Sequence, residues 1–143
     1  IQDSLANISI IGRSKKQKVL IGAEDLEVLS SYDNCNFKIL QNDLVFFQPN
    51  FYLYSLMISF ISKQLDEPMD LLELYCGCGG FTLPLASIFE KVFATENNKH
   101  SIELLKKSIK LNNLLNIQLR LPLHFEFSLN APEKHIKFSF HLR

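Results

Sequence analysis

The chain has 143 residues with a formal net charge of zero, and 47% of its residues are hydrophobic. This length accommodates one domain, or one with part of a second, and so apolar a composition excludes an intrinsically disordered chain. The balanced charge excludes a surface that is basic overall, so any contact with nucleic acid requires a local basic patch.

The first third of the chain is rich in short β-branched runs. Residues 7–11 and 18–21 are two such runs around "GRSKKQ", which predicts a hairpin or two neighbouring strands. A second strand pair is expected at 37–40 and 44–47, on either side of a turn signal at Asn42–Asp43.

The middle of the chain changes from strands alone to alternating strands and helices. Apolar residues recur at helical spacing from Phe51 to Leu65, which predicts an amphipathic helix. The nearly continuous apolar run "LLELY" at 71–75 is typical of a strand buried on both faces. This alternation is typical of an α/β fold with a parallel sheet. The further elements that we predict are a helix at 81–89, a strand at 91–96, a helix at 99–112 and a strand at 116–121.

The end of the chain follows a different pattern. After Pro122, "HFEFSL" and "IKFSFHL" alternate with a period of two residues, which predicts antiparallel strands joined by a turn at Asn130–Pro132. We therefore divide the chain into a strand-rich segment, an α/β segment and a divergent tail, at 1–47, 48–121 and 122–143. Because the chain opens in mid-pattern on Ile1, we interpret it as a piece of a longer protein.

A glycine-rich turn is the strongest candidate for a functional motif. Gly77, Gly79 and Gly80 lie between a predicted strand and a predicted helix, where glycines let the backbone bend and a ligand approach the main chain. The order G-x-G-G is shorter than the dinucleotide fingerprint and lacks the lysine of a phosphate-binding loop. The acidic-x-x-x-Gly-x-Gly form that starts at Glu73 is instead shared with many methyltransferases.

Glu96 supplies a second element of this candidate site. It ends the next predicted strand, where a carboxylate can accept hydrogen bonds from both hydroxyls of a ribose. The alternative is an ordinary solvated carboxylate at the end of a strand. The turn and the acid together favour a nucleotide-type ligand.

The thiols of Cys76 and Cys78 have a structural and a chemical interpretation. Two cysteines cannot readily chelate zinc alone, and Cys35 and the four histidines form no recognisable second pair of ligands, so we expect no metal. A nucleophilic Cys76 needs a neighbouring base, and none is near in sequence. We favour small side chains that pack under the turn. An odd cysteine number, no signal peptide and no apolar run near ~18 residues predict a cytoplasmic protein that does not span a membrane.

The motifs "LLELYCGCGGFTLPLA", "VFATE" and "FFQPN" together resemble the S-adenosylmethionine (SAM)-dependent RNA uracil-5-methyltransferase family. The stretch "ISIIGRSKKQKV" is more similar to the branch that modifies tRNA than to the ribosomal branch. The resemblance covers roughly residues 8–120. It implies a partial Rossmann-like methyltransferase domain preceded by a small β-rich segment.

The resemblance also implies which residues contact the SAM cofactor. The family's contacts correspond to a glutamine before the first helix, a tyrosine, the glycine turn and the acid after the second strand. Family members often carry a polar residue at the position of Gly80, so one side-chain contact is in question here. The residues implied are Gln48, Tyr75, Gly77, Gly79, Gly80 and Glu96.

By resemblance, the reaction is methyl transfer to C5 of a uridine, in the tRNA branch the T-loop uridine. A cysteine thiolate adds at C6, C5 then attacks the methyl group, and a carboxylate base removes the C5 proton. The family's "Cys-Asn-Pro"-like nucleophile segment and its glutamate base lie downstream of the motifs matched here, and the chain contains neither. We expect a monomeric cofactor-binding portion that is inactive alone.

A basic turn is the candidate contact with RNA. Arg13, Lys15, Lys16 and Lys18 could bind phosphates, although a solvated hairpin loop explains the same residues. The resemblance favours tRNA as the partner. The alternatives are a ribosomal-RNA uracil-5-methyltransferase fragment, a non-catalytic remnant that binds SAM or RNA, and a small-molecule methyltransferase.

Overall fold

The computed structural model describes residues 8–47, 50–64, 70–120 and 135–139. Two antiparallel hairpins come first, and a parallel sheet with helices follows. The elements in chain order are β1 Ile10–Ser14, β2 Gln17–Ile21, β3 Leu26–Tyr32, β4 Cys35–Gln41, α1 Phe51–Ser62, β5 Asp70–Leu74, α2 Thr82–Leu85, β6 Lys91–Thr95, α3 Lys99–Leu111, β7 Ile117–Arg120 and β8 His135–Ser139.

The first hairpin confirms the predicted strand pair at the start of the chain. Strands β1 and β2 pair in antiparallel register from Ile10 opposite Ile21 to Ser14 opposite Gln17. Both strands run further into "GRSKKQ" than expected, so the connection is short. Lys15 takes a positive φ of 50° there, as tight hairpin turns require.

The second predicted hairpin is wrong, because β4 pairs with an upstream strand, β3, for which we made no prediction. Strand β3 pairs with β4 across a two-residue turn in which Asp33 and Asn34 have φ values of 46° and 62°. Two positive φ values match the twist of a hairpin. Residues 44–47 form no strand. Instead, the side chain of Asn42 accepts a hydrogen bond from the N–H of Leu44, and the chain turns there.

The helix that follows begins at a clear cap. The side chain of Asn50 accepts hydrogen bonds from the N–H groups of Tyr52 and Leu53, so α1 starts at Phe51 as predicted. It ends at Ser62, and the predicted end at Leu65 lies outside the described residues. No helix in the described ranges is long and apolar enough to cross a membrane.

Helix α2 is much shorter than the predicted helix at 81–89. It spans Thr82–Leu85, after which the chain continues in turns. The side-chain amide of Asn116 donates to the carbonyls of Ala86 and Phe89. These carbonyls are therefore satisfied from the start of β7, and the chain turns into β6 without a longer helix.

The parallel sheet confirms the predicted α/β fold. Its strand order is β7-β6-β5-β8, and every neighbouring pair is parallel. The antiparallel prediction for the tail is wrong for β8, because an alternating pattern shows that a strand has two different faces but not the direction of its neighbour. The rest of the tail lies outside the described residues. Because β6 and β8 flank β5, the order of the sheet reverses at β5, where open α/β sheets bind ligands.

One hydrophobic core joins the second hairpin to the parallel sheet. Phe37 and Ile39 of β4 belong to the same buried cluster as the residues of α1, β5 and α3. Helix α3 also completes the edge of β4, since the Asn112 side chain bonds both the N–H and the carbonyl of Lys38. The core thus crosses residues 47 and 48, where we placed a boundary, and that boundary stays a prediction.

Candidate functional site

The glycine-rich turn begins at the carboxyl end of the central strand. The N–H of Cys76 still donates to the carbonyl of Thr95 at 2.9 Å, so the turn starts within the sheet. Tyr75 then has a φ of 59°, Gly77 one of 59° and Gly79 one of 93°. A positive φ is strained for tyrosine, and such strain concentrates at functional sites.

The three glycines of the turn have different surroundings. Gly77 and Gly80 line a cavity above the end of β5, whereas Gly79 does not. A Cβ atom at Gly79 would collide with Cδ1 of Leu105, so this glycine lets α3 pack closely under the turn. A Cβ at Gly80 would lie 3.4 Å from Cε2 of Phe47, so an aromatic wall faces the position where the family often has a polar side chain.

Glu96 holds the turn through hydrogen bonds to backbone groups. Its Oε2 accepts the N–H of Gly77 at 2.9 Å, and its Oε1 accepts the N–H groups of Asn97 and Asn98, each at 2.8 Å. The side chain is only 8% exposed and lines the cavity. A carboxylate offers about four acceptor positions, so these three bonds leave one for a ligand.

The cavity has a volume of about 360 Å³, within the range of small-ligand pockets. Aromatic rings form one wall, and the polar groups of Asn97, Asn98 and Ser101 lie near Glu96 on α3 and the loop before it. Among the described residues, the lining contains two glutamates and no lysine, arginine or histidine. The aromatic residues of the wall are Phe46, Phe47, Tyr54 and Phe81.

Glu73 is the second glutamate of the cavity and is almost completely buried. It lies on β5 with 4% of its surface exposed, and its Oε2 has no hydrogen-bond partner within the described ranges. Burial raises the pKa of Glu73 to about 8, and the nearby Thr82 hydroxyl lowers it in part. An unpaired carboxyl in such surroundings strongly favours its neutral form.

Tyr54 connects α1 to the glycine turn. Its hydroxyl donates to the carbonyl of Gly80, and its ring lies 6.2 Å from that of Phe47 and 5.3 Å from that of Phe81, measured between centroids. Tyr54 is 2% exposed, and burial raises the pKa of its hydroxyl. The hydroxyl therefore stays a hydrogen-bond donor that fixes the end of the turn.

The two thiols of the turn are buried and protonated. Cys76 is 7% and Cys78 1% exposed. Burial raises the pKa of Cys78 to about 11 and raises that of Cys76 still more. Reactive thiolates have lowered pKa values, so these side chains have the character of packing groups. No group of three or more metal-ligating side chains occurs in the part of the chain that the structure describes.

The remaining predicted site residues are Gln48, Tyr75 and the four residues of the basic turn. Gln48 lies outside the described residues, and Tyr75 is 55% exposed at the cavity. Arg13 and Lys18 both bond the carboxylate of Asp43, Lys18 at 2.9 Å, so they link the first hairpin to the loop between β4 and α1. The exposed side chains of Lys15 and Lys16 remain at the hairpin tip.

Sequence reasoning missed the aromatic wall and the polar residues at the start of α3. Asn98 could have been found, since it caps α3 by accepting the N–H groups of His100 and Ser101. Phe46 and Phe47 belong to the motif "FFQPN", but no sequence pattern indicates that their rings and that of Tyr54 lie beside the turn. Only the folded chain brings them to the turn.

Two solved structures show which fold the chain has. The Pyrococcus abyssi tRNA (uracil-54, C5)-methyltransferase in complex with S-adenosyl-L-homocysteine matches with a TM-score of 0.61 and 23% identity, over 79% of this chain and 30% of that one. The Thermus thermophilus 16S rRNA N2 G1207 methyltransferase RsmC matches with a TM-score of 0.58 and 18% identity, over 80% and 35%. The chain therefore has the Rossmann-like fold of SAM-dependent methyltransferases.

Sequence comparisons identify the family. The tRNA (uracil-5-)-methyltransferase family profile matches residues 1–139, and the chain belongs to this family. The tRNA/tmRNA (uracil-C(5))-methyltransferase of Idiomarina loihiensis is 39% identical over 80% of the chain, and that of Helicobacter hepaticus is 41% identical over 78%. The matched part of the chain spans only 31% and 30% of these two relatives, respectively.

Proposed function

We propose that this chain forms the cofactor-binding portion of an enzyme that uses SAM to methylate C5 of a uridine in tRNA. The observation that carries the proposal is the cavity at the carboxyl end of β5. It is bounded by a turn with positive φ at Gly77 and by the buried carboxylate of Glu96, and no basic side chain lines it within the described ranges. Such a cavity suits a cationic nucleoside and disfavours a nucleotide with phosphates.

The residues present fit this cofactor. The described residues leave one acceptor position of the Glu96 carboxylate for a ribose hydroxyl, while its other bonds keep the carboxylate oriented. The rings of Phe47 and Phe81 offer an apolar surface for an adenine base. Gln48 and Tyr75 are assigned to the amino-acid end of the cofactor by resemblance, and these assignments stay predictions.

The chemistry of methyl transfer requires groups beyond those in this chain. Bound SAM supplies an electrophilic methyl group. The turn and Glu96 bind and orient the nucleoside, and the protonated thiols of Cys76 and Cys78 are unsuited to attack C6 of uracil. The nucleophilic cysteine and the carboxylate base are expected in the remaining part of the full-length enzyme, as in the family resemblance.

The tip of the first hairpin is the proposed contact with tRNA. Lys15 and Lys16 are exposed, whereas Arg13 and Lys18 are paired with Asp43. Within the described ranges, no ion pair holds Lys15 or Lys16, so the tip residues can bind phosphates while the paired residues hold the hairpin in place. We prefer tRNA to ribosomal RNA because of the family match. A cytoplasmic location and a monomeric state are further expectations of this proposal.

Calorimetry with the purified chain tests the proposal. We expect SAM and S-adenosylhomocysteine to bind, and ATP, whose phosphates are anionic, not to bind. Incubation with labelled SAM and tRNA should give no labelled uridine. Absence of SAM binding would contradict the cofactor role, and methyl transfer by the chain alone would contradict the assignment of the catalytic groups to the rest of the enzyme.

A further inference from the structure

The two carboxyl groups of the cavity have contrasting surroundings. The Glu96 carboxylate accepts hydrogen bonds from three backbone N–H groups. Oε2 of Glu73 is buried and accepts none from the described residues. Hydrogen bonds from N–H groups compensate a buried negative charge, and Glu73 lacks this compensation at one oxygen.

No positive charge from the described protein faces Glu73. The polar and titratable groups near it are the Tyr54 hydroxyl of α1, the Thr82 hydroxyl of α2 and the Cys76 thiol of the turn, and Cys78 and Glu96 line the same cavity. The hydroxyls and the thiols are neutral at physiological pH. On the other side of β5, the backbone of Glu73 pairs with that of Phe138 in β8. A charged Glu73 in the empty cavity would therefore have no positively charged partner among the described side chains.

We propose that Glu73 carries a proton in the empty cavity and releases it when the cationic cofactor binds. This inference rests on the proposed function and adds the charge balance of the site. The neutral acid loses a proton to solvent, and the resulting carboxylate compensates the positive charge that enters. An opposite charge within about 4–6 Å lowers a carboxyl pKa by roughly 1–3 units, which is enough to ionise a group that titrates near neutrality.

Proton release makes cofactor affinity depend on pH. When binding releases one proton, the dissociation constant falls about tenfold for each rise of one pH unit, as long as the empty site is protonated and the complex is not. With a lowering near the middle of that range, we expect this dependence between about pH 6 and pH 8, above the pKa of Glu73 in the complex and below its pKa in the empty site. The raised pKa of Glu73, about 8, is consistent with this range for the empty site.

Calorimetry in two buffers with different ionisation enthalpies counts the released protons directly. At pH 6.5 we expect SAM binding to release about one proton from the wild-type chain and nearly none from Glu73→Gln, which keeps the shape of the side chain. Glu90→Gln, a change at an exposed glutamate outside the cavity, should behave as wild type. The affinity of Glu73→Gln should not vary with pH over the same range.

The results separate this inference from the proposed function. Equal proton release by wild type and Glu73→Gln would overturn the inference and leave cofactor binding intact. Absence of SAM binding to the wild-type chain at any pH would overturn both. Circular dichroism would show whether Glu73→Gln folds. If it does not, the pH dependence of SAM affinity in the wild-type chain is the test, and an affinity that is independent of pH would overturn the inference.

Discussion

At the scale of single residues, the glycine turn is held by two side chains that the sequence places far apart. Glu96 accepts the N–H of Gly77, and the Tyr54 hydroxyl donates to the carbonyl of Gly80. The sequence motif predicted Glu96, because an acid after the second strand is part of a known pattern. It could not predict Tyr54, whose contact with the turn depends on how α1 packs against it.

Replacing Tyr54 by Phe removes only the hydroxyl and tests its part in the site. We expect Tyr54→Phe to weaken SAM binding about fivefold and to lower the free energy of unfolding by about 1 kcal/mol, since a partly buried carbonyl loses its donor. Tyr52→Phe on the same helix is the matched control, because Tyr52 is 92% exposed. Unchanged affinity in Tyr54→Phe would show that the turn does not need this bond.

The raised pKa of Glu73 also predicts how the stability of the fold depends on pH. Its pKa is about 8 in the fold, above its usual value of 4.5, so unfolding releases its proton between these pH values. The stabilisation from the neutral acid is complete below about pH 4.5 and is lost as the pH rises to about 8. Its loss amounts to a few kcal/mol, on the order of what ~3 pKa units represent.

Urea unfolding at several pH values measures this effect. The Glu73→Gln variant should lack the decline in stability between pH 5 and pH 8, and Glu90→Gln should show the wild-type decline. A wild-type stability curve that rises across this interval would be inconsistent with a buried neutral Glu73.

At the scale of elements, strands buried on both faces were the easiest to predict. A short and nearly continuous apolar run such as "LLELY" favours a buried strand, and β5 lies within one residue of the predicted position. The predictions were wrong where a contact with another part of the chain determines the length, the partner or the direction of an element. Helix α2 ends early where Asn116 binds the following carbonyls, β4 pairs with β3 because Asp33 and Asn34 permit a tight turn, and β8 takes its direction from β5.

The contact between α3 and β4 can be tested by substitution. The Asn112 side chain pairs with the backbone of Lys38 much as a neighbouring strand would, and Ser108 accepts the N–H of Leu40. Asn112→Leu leaves both backbone groups of Lys38 without this partner. We expect a loss of about 1–3 kcal/mol in the free energy of unfolding, measured with urea.

The exposed Lys106 of the same helix provides the control, since Lys106→Ala should change the free energy of unfolding by less than about 0.5 kcal/mol. Equal stability of Asn112→Leu and the wild type would mean that the hairpin is held by the apolar core alone. The core does contribute, because Phe37 and Ile39 are 5% and 0% exposed.

At the scale of the whole molecule, the parallel sheet and the second hairpin share one hydrophobic core. The cavity at the carboxyl end of β5 lies beside this core and suits a cationic nucleoside. Family membership could be predicted from the sequence, because each of its motifs is a continuous stretch of residues. The charge inside the cavity could not be predicted, because it depends on which side chains the fold keeps away from the cavity. Among the described residues, Glu73 and Glu96 are the only carboxyl groups in the lining, and no lysine, arginine or histidine accompanies them.

The affinity of Glu96→Gln for SAM tests the central claim most directly. The amide keeps one acceptor oxygen for backbone N–H groups but loses the negative charge and the free acceptor that we assign to the ribose. We predict a dissociation constant at least about tenfold higher than that of the wild type, which corresponds to ~1.4 kcal/mol, with Glu90→Gln unchanged. A folded Glu96→Gln variant that binds SAM as tightly as the wild type would contradict the account.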